Sequence, residues 1–146
     1  MAATARAGAS SHLWIVGIVS LIWNAFGCYD YVMTMTGDQN YLAQIPADAL
    51  PYWESLPSWT AGAWALGVWA GLAGAALLLM RSRYAVWAYA LSLIGAVVGI
   101  GYQKFMTDMP ASLNEGMGAV MPWAIIVIAV FQLWYSWDQE KKGVLR

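Results

Sequence analysis

Cysteine and histidine, the two residue types that most often bind metals and carry covalent chemistry, occur once each. With Cys28 alone, no intramolecular disulfide and no thiol pair for dithiol redox chemistry can form. His12 stands at the border of an apolar run rather than inside it. A haem held between two histidines of one chain is therefore excluded, as is a His- or Cys-rich zinc site. Nor do the residues support a Ser-His-Asp or Cys-His pair working inside a membrane. No catalytic residue, metal ligand or cofactor is expected, and the chain is not read as an enzyme. Charge is scarce as well, at 10% of residues against roughly 25% in an ordinary soluble domain. The net charge of −1 leaves no basic surface for nucleic acid.

Apolar residues take the remaining space, at 61%. Four almost uncharged spans stand out: Leu13–Met33, Trp59–Met80, Tyr84–Met106 and Val120–Trp137. At about 1.5 Å per residue, each can cross a hydrocarbon layer roughly 30 Å thick. The pattern predicts an all-α, four-span bundle forming one domain over residues 1–146, with the lipid bilayer as its first partner. The charges are sorted around these spans. Arg6, Arg81, Arg83, Lys141, Lys142 and Arg146 lie on one side. Asp38, Asp48, Glu54, Asp108 and Glu115 lie on the other, with Lys104 their only basic neighbour. Positive residues stay in the cytoplasm, which predicts both termini inside and both longer loops outside. Ten Trp and eight Tyr are many; Trp14, Trp53, Trp59, Trp123, Trp134 and Trp137 fall near span ends, as an interfacial aromatic belt requires.

The first eleven residues, rich in Ala, Ser and Gly, read as a disordered tail. Arg6, the run Leu13–Ile22 and Cys28 loosely match a lipoprotein signal. Phe26 is too bulky for the cleavage pocket and Asn24 interrupts the apolar run, so an uncleaved first helix is expected. Residues 35–58 interleave Tyr41, Leu42, Ile45, Leu50, Tyr52, Trp53 and Leu56 with Pro46, Pro51 and Pro57. This reads as one or two helical turns in the outer interface, opened by proline at a first helical position, as an anchor or as a lid.

Spans two and three, joined by Arg81-Ser82-Arg83, must form an antiparallel hairpin. Ala63, Gly67, Gly71 and Ala75 recur every fourth residue, as do Ala88, Ser92 and Ala96 beside Gly95 and Gly99. Helices in lipid associate by close approach over such small residues. The words Ser20-Leu21-Ile22…Gly27 and Ser92-Leu93-Ile94…Gly99 sit at matched depth in spans one and three, as a duplicated hairpin would leave them.

Polar residues at membrane depth are the candidates for a polar core or a ligand contact. Asn24 sits about 18 Å along span one, sharing a face with Gly27 and Tyr31. Its carboxamide needs partners, from a neighbouring helix or from a ligand. Asp30 and Lys104 lie at nearly equal depth on parallel spans, and ionisable groups there usually pair; an ion pair with Gln103 and Tyr102 as neighbours is expected. Gln132, Ser20 and Ser92 extend a thin polar seam. Tyr52, Trp53 and Glu54 in the loop, with Asp30 and Asn24, would suit stacking and hydrogen bonding to a sugar.

The run Ile22-Trp23-Asn24-Ala25-Phe26-Gly27-Cys28-Tyr29-Asp30-Tyr31-Val32-Met33-Thr34 joins Pro51-Tyr52-Trp53-Glu54, Leu56-Pro57-Ser58-Trp59, Ala65-Leu66-Gly67-Val68-Trp69 and Leu79-Met80-Arg81-Ser82-Arg83. Together they resemble a group of small four-helix bacterial inner-membrane proteins, most of them uncharacterised or labelled "sugar transporter". The resemblance implies a bacterial inner-membrane location and brings no site residues. Three activities stay open: an accessory or scaffold protein packing against itself or a larger complex, an oligomeric binder or carrier of a small polar solute, and a membrane enzyme using Asp30, Glu54 or Asp108. A dry core at Asn24 would favour the first, a wet cavity the second, and converging acids the third.

Overall fold

The computed structural model describes residues 8–146, so Arg6 and most of the N-terminal tail lie outside the described residues. Seven helices follow in order: α1 (Ser11–Met35), α2 (Gln39–Leu42), α3 (Ala49–Ser55), α4 (Ser58–Leu79), α5 (Tyr84–Met106), α6 (Ala111–Asn114) and α7 (Met117–Lys141). Among them α1, α4, α5 and α7 are long and apolar enough to cross a membrane. They coincide with the four predicted spans to within four residues at every end. The chain is a multi-pass, all-helical membrane protein.

Three of the four long helices stop at a left-handed residue. After α1, Gly37 takes φ 73°; its N–H meets the Thr34 carbonyl and the Asp38 N–H meets that of Met33. After α7, Gly143 takes φ 74°, with Gly143 N–H bonded to Glu140 and Val144 N–H to Gln139. Both are Schellman stops, which satisfy the last carbonyls by a left-handed residue. The stop of α4 is the same, with Arg81 N–H on Leu78 and Ser82 N–H on Leu77. Here the left-handed residue is Arg81, at φ 55°, where an L side chain costs roughly 1–2 kcal/mol. The tail holds it: Arg81 Nε donates to Val144 O at 3.1 Å. Arg146 N–H and Arg81 O, then Arg83 N–H and Arg146 O, close at 2.8 and 2.9 Å.

Packing follows chain order: α1 lies on α4, α4 on α5, and α5 on α7. At the Arg81 end, hereafter the basic end, α1 also reaches α7, where His12 Nδ1 meets the Tyr135 hydroxyl. Val144 and Leu145 turn back beneath the bundle there and bury against Leu13, Leu78 and Tyr89. The burial pattern is that of a protein solvated by lipid. Gly17, Ser20, Asn24 and Cys28 form the buried stripe of α1, while Ile15 and Phe26 are 63% and 69% exposed. On α5 the buried residues are Ala85, Tyr89, Ser92, Gly95 and Gly99. Small residues stand where α4 and α5 approach: Ser92 Oγ donates to Gly67 O at 2.6 Å, and a Cβ on Gly95 would lie 2.7 Å from Ala63 O. The matched words of α1 and α5 both face α4, Gly27 against Val68 and Gly99 against Ala63.

Helix α7 is the outlier. Only 11% of its most apolar stretch is buried, against 22–28% for the other three. Near its start it carries Pro122, which has no N–H to offer the Gly118 carbonyl one turn back. Gly118 itself admits α6, since a Cβ there would lie 2.4 Å from Ser112 O.

Candidate functional site: a sealed polar seam and a strapped acidic end

Asn24 is 7% exposed, and its Nδ2 donates to the Ser20 carbonyl of its own helix at 2.8 Å. Its Oδ1 occupies the space a Cβ on Gly71 would need, beside Ser92 Oγ. The carboxamide is therefore a packing element at the α1–α4–α5 junction. Cys28, further along the stripe, donates to Val68 O at 3.3 Å. Gln132 lies apart from this junction on α7, 3% exposed. Its Nε2 and the Tyr89 hydroxyl are the buried side-chain polar atoms left without a partner among the described residues. Ser20, Asn24, Ser92 and Gln132 are all buried.

The expected Asp30–Lys104 ion pair does not form. Lys142 does pair with Asp138, at the basic end, at 2.8 Å. Depth alone put Asp30 and Lys104 together, but α4 packs between α1 and α5, and Asp30 is on the exposed side of α1. It accepts instead from the Tyr41 hydroxyl. Burial, and then Asp30 itself, push the Tyr41 phenol up to about 12.

That bond is the first of three that strap residues 36–57 across the acidic end. Asp38 caps α2 by accepting from Tyr41 N at 2.9 Å, and Tyr41 ties α2 to α1. In the middle, Asp48 accepts from the Ser112 hydroxyl and from Ser112 N–H at 3.3 Å. The hydroxyl bond holds the Asp48 carboxyl below its ordinary range. Last, the Tyr52 hydroxyl meets Thr107 Oγ1, which donates to Gln103 O at 2.7 Å. The loop helices are present, but proline does not open α3: Pro51 stands at its third residue, where a backbone N–H is not yet needed.

The remaining candidates scatter. Tyr31 stacks edge-on with Trp64 and Trp69 at 5.1 and 6.4 Å. Glu54 is exposed and Lys104 half-buried. Trp53 and Gln103 do meet, in a groove of about 360 Å³ at the acidic end of α5 and α7, with Ile100, Met109, Leu113, Met117, Gly118, Met121, Pro122 and Ile125. No group of three or more His, Cys, Asp or Glu able to hold a metal occurs among the described residues.

Sequence reasoning missed Tyr41, Thr107 and Ser112 as loop fasteners, and Tyr89, Tyr135 and the 144–145 tail as basic-end core. Only the tail left a local signal, glycine followed by two apolar residues just past a helix. No protein-family model, curated protein or solved structure matches the chain.

Proposed function

We propose that the chain is an accessory or scaffold protein of a bacterial inner membrane. Its basic end and both termini face the cytoplasm, and it packs against itself or a larger membrane complex. The observation that carries this reading is the filled interior at Asn24, where a route for a solute would have to pass. The Asn24 and Ser92 side chains fill the space over Gly71, Gly95 lies against the backbone of α4, and an open path would require them to part. The thin burial of α7 supports a partner, because that helix gives most of its surface to something other than this chain. The candidate acids Asp30, Glu54 and Asp108 stay exposed and apart, so the geometry gives least to an enzyme. The orphaned Tyr89 hydroxyl and Gln132 amide favour the second reading, a bound polar solute, since unmet donors in hydrocarbon are costly.

The test is cross-linking in membranes. In a Cys28→Ser background, a cysteine at Val127 on the exposed face of α7 should cross-link to a second copy or a defined partner. One at Val19 on α1 should not. Absence of any α7 cross-link, together with saturable sugar uptake in proteoliposomes lost in Asn24→Leu, would replace the scaffold by the carrier.

A further inference from the structure

A second apolar groove, of about 380 Å³, lies between α5 and α7 at the basic end, lined by Val86 of α5 and by Val130, Leu133, Trp134 and Trp137 of α7. A cation is set directly on its wall: Lys141 Nζ lies over the Trp137 ring, 4.2 Å from the centroid. Lys141 stands one turn beyond Trp137, about 6 Å along the helix, where a lysine ordinarily reaches out to water. By lying back on the indole, its ammonium stays at the depth of the interfacial tryptophans, where hydrocarbon gives way to phosphate. The ring face attracts the cation and leaves N–H donors on its far side for an anion. The α5 wall also ends in a cation. Val86 N–H bonds to the Arg83 carbonyl at 3.2 Å, so Arg83 stands one turn before the groove, its guanidinium 5.6 Å from the centroid of the exposed Tyr84 ring. Arg83 N–H in turn donates to Arg146 O at 2.9 Å, which adds the tail to the same rim. Asp138, three residues before Lys141, is engaged by Lys142 at 2.8 Å and by Gln139 Nε2 at 3.4 Å. Residues 81–83 and 138–146 together hold five cations and two carboxylates.

We propose that this groove binds an anionic phospholipid, with an acyl chain along Val86, Val130 and Trp134, the phosphate on Lys141, and the rest of the headgroup toward Arg83 and Arg146. Charge complementarity decides the occupant, since a basic groove between membrane helices favours anionic headgroups. A zwitterionic headgroup would offer the same phosphate but carry its own ammonium into a rim where cations outnumber acids. The apolar wall asks for an acyl chain as well, so a free phosphate ester would satisfy only half of the site.

Native mass spectrometry of the full chain, titrated in detergent with dioleoyl phosphatidylglycerol, phosphatidylethanolamine and phosphatidylcholine, tests the site. Phosphatidylglycerol should bind about fivefold tighter or more than either zwitterionic lipid, the scale set by one basic residue at a membrane surface. Lys141→Gln should remove most of that preference and Lys141→Arg should keep it. Trp137→Leu leaves every charge in place but takes away the ring that holds Lys141 on the groove, and should lower the preference as far as Lys141→Gln does. Val130→Trp, which fills the groove, should weaken all three lipids. Should Trp137→Leu misfold by helix content or gel filtration, the contrast between Lys141→Gln and Lys141→Arg carries the test. Equal binding of the three lipids means an ordinary lipid annulus and overturns the site. A preference unchanged in Lys141→Gln belongs to the charge of the basic end at large and overturns it too. So does displacement of phosphatidylglycerol by millimolar glycerol phosphate, which would make the rim a site for free anions.

Discussion

Gly95 and Gly62 differ by what surrounds them, and that difference fixes what a methyl group does at each. A Cβ on Gly95 would meet two backbone atoms of α4 at 2.7 Å, Ala63 O and Gly67 N. Backbone cannot step aside as a side chain can, so Gly95→Ala should cost about 1–3 kcal/mol, as overpacking does. Gly62 has nothing within 4 Å, and Gly62→Ala should gain a few tenths to 1 kcal/mol by stiffening the unfolded chain. Thermal melting in detergent would separate the two, and equal melting would mean that α4 and α5 do not approach at Gly95. The stripe containing Gly95 was legible because small residues every fourth position have few other uses in lipid. Which glycine sits tightest was not, since that depends on the crossing geometry of two helices. Asp30 and Lys104 show the converse failure: equal depth is visible in sequence, but lateral neighbourhood is not. α4, lying between their helices, decides it.

Among the elements, the 36–57 loop and the 144–146 tail are both fastened by bonds that span long stretches of chain. Asp48 and Ser112 are 64 residues apart, and nothing local to either announces the other. Because the folded carboxyl titrates below its ordinary value of 3.8, this link contributes above that value and is lost as pH falls through it and lower. Amide exchange at Ser112 should accelerate below about pH 4 in the wild type and be fast at all pH values in Asp48→Asn. An exchange rate indifferent to both would mean the loop floats free of α6. The tail makes a stronger claim. Leu145 is 5% exposed, and Leu145→Ala should cost about 2–5 kcal/mol, the usual range for a buried leucine. Urea denaturation in mixed micelles would measure it, and a loss below 0.5 kcal/mol would place the tail in solvent.

For the whole molecule, the four crossings were legible because a bilayer demands about 20 apolar residues per helix and little else satisfies that demand. The orientation drawn from Arg81, Arg83, Lys141 and Lys142 has its own test. Cysteines at Asp48 and Asn114 should react with membrane-impermeant thiol reagents in intact cells, and one at Ser82 should not. Labelling at Ser82 would invert the protein.

Residues 144–146 complete the basic end by pairing with Arg81 and Arg83 and filling the space beneath Leu13 and Leu78. They are also translated after all four crossings. During synthesis, α1, α4 and α5 can therefore meet in the bilayer while the strained turn at Arg81 still lacks the backbone it will pair with. Chains grow at about 5–20 residues per second, so the sixty-odd residues between that turn and its partner impose a wait of seconds. For that interval the nascent protein is a three-helix intermediate with the apolar floor of its basic end uncovered, the form in which chaperones and membrane proteases would meet it.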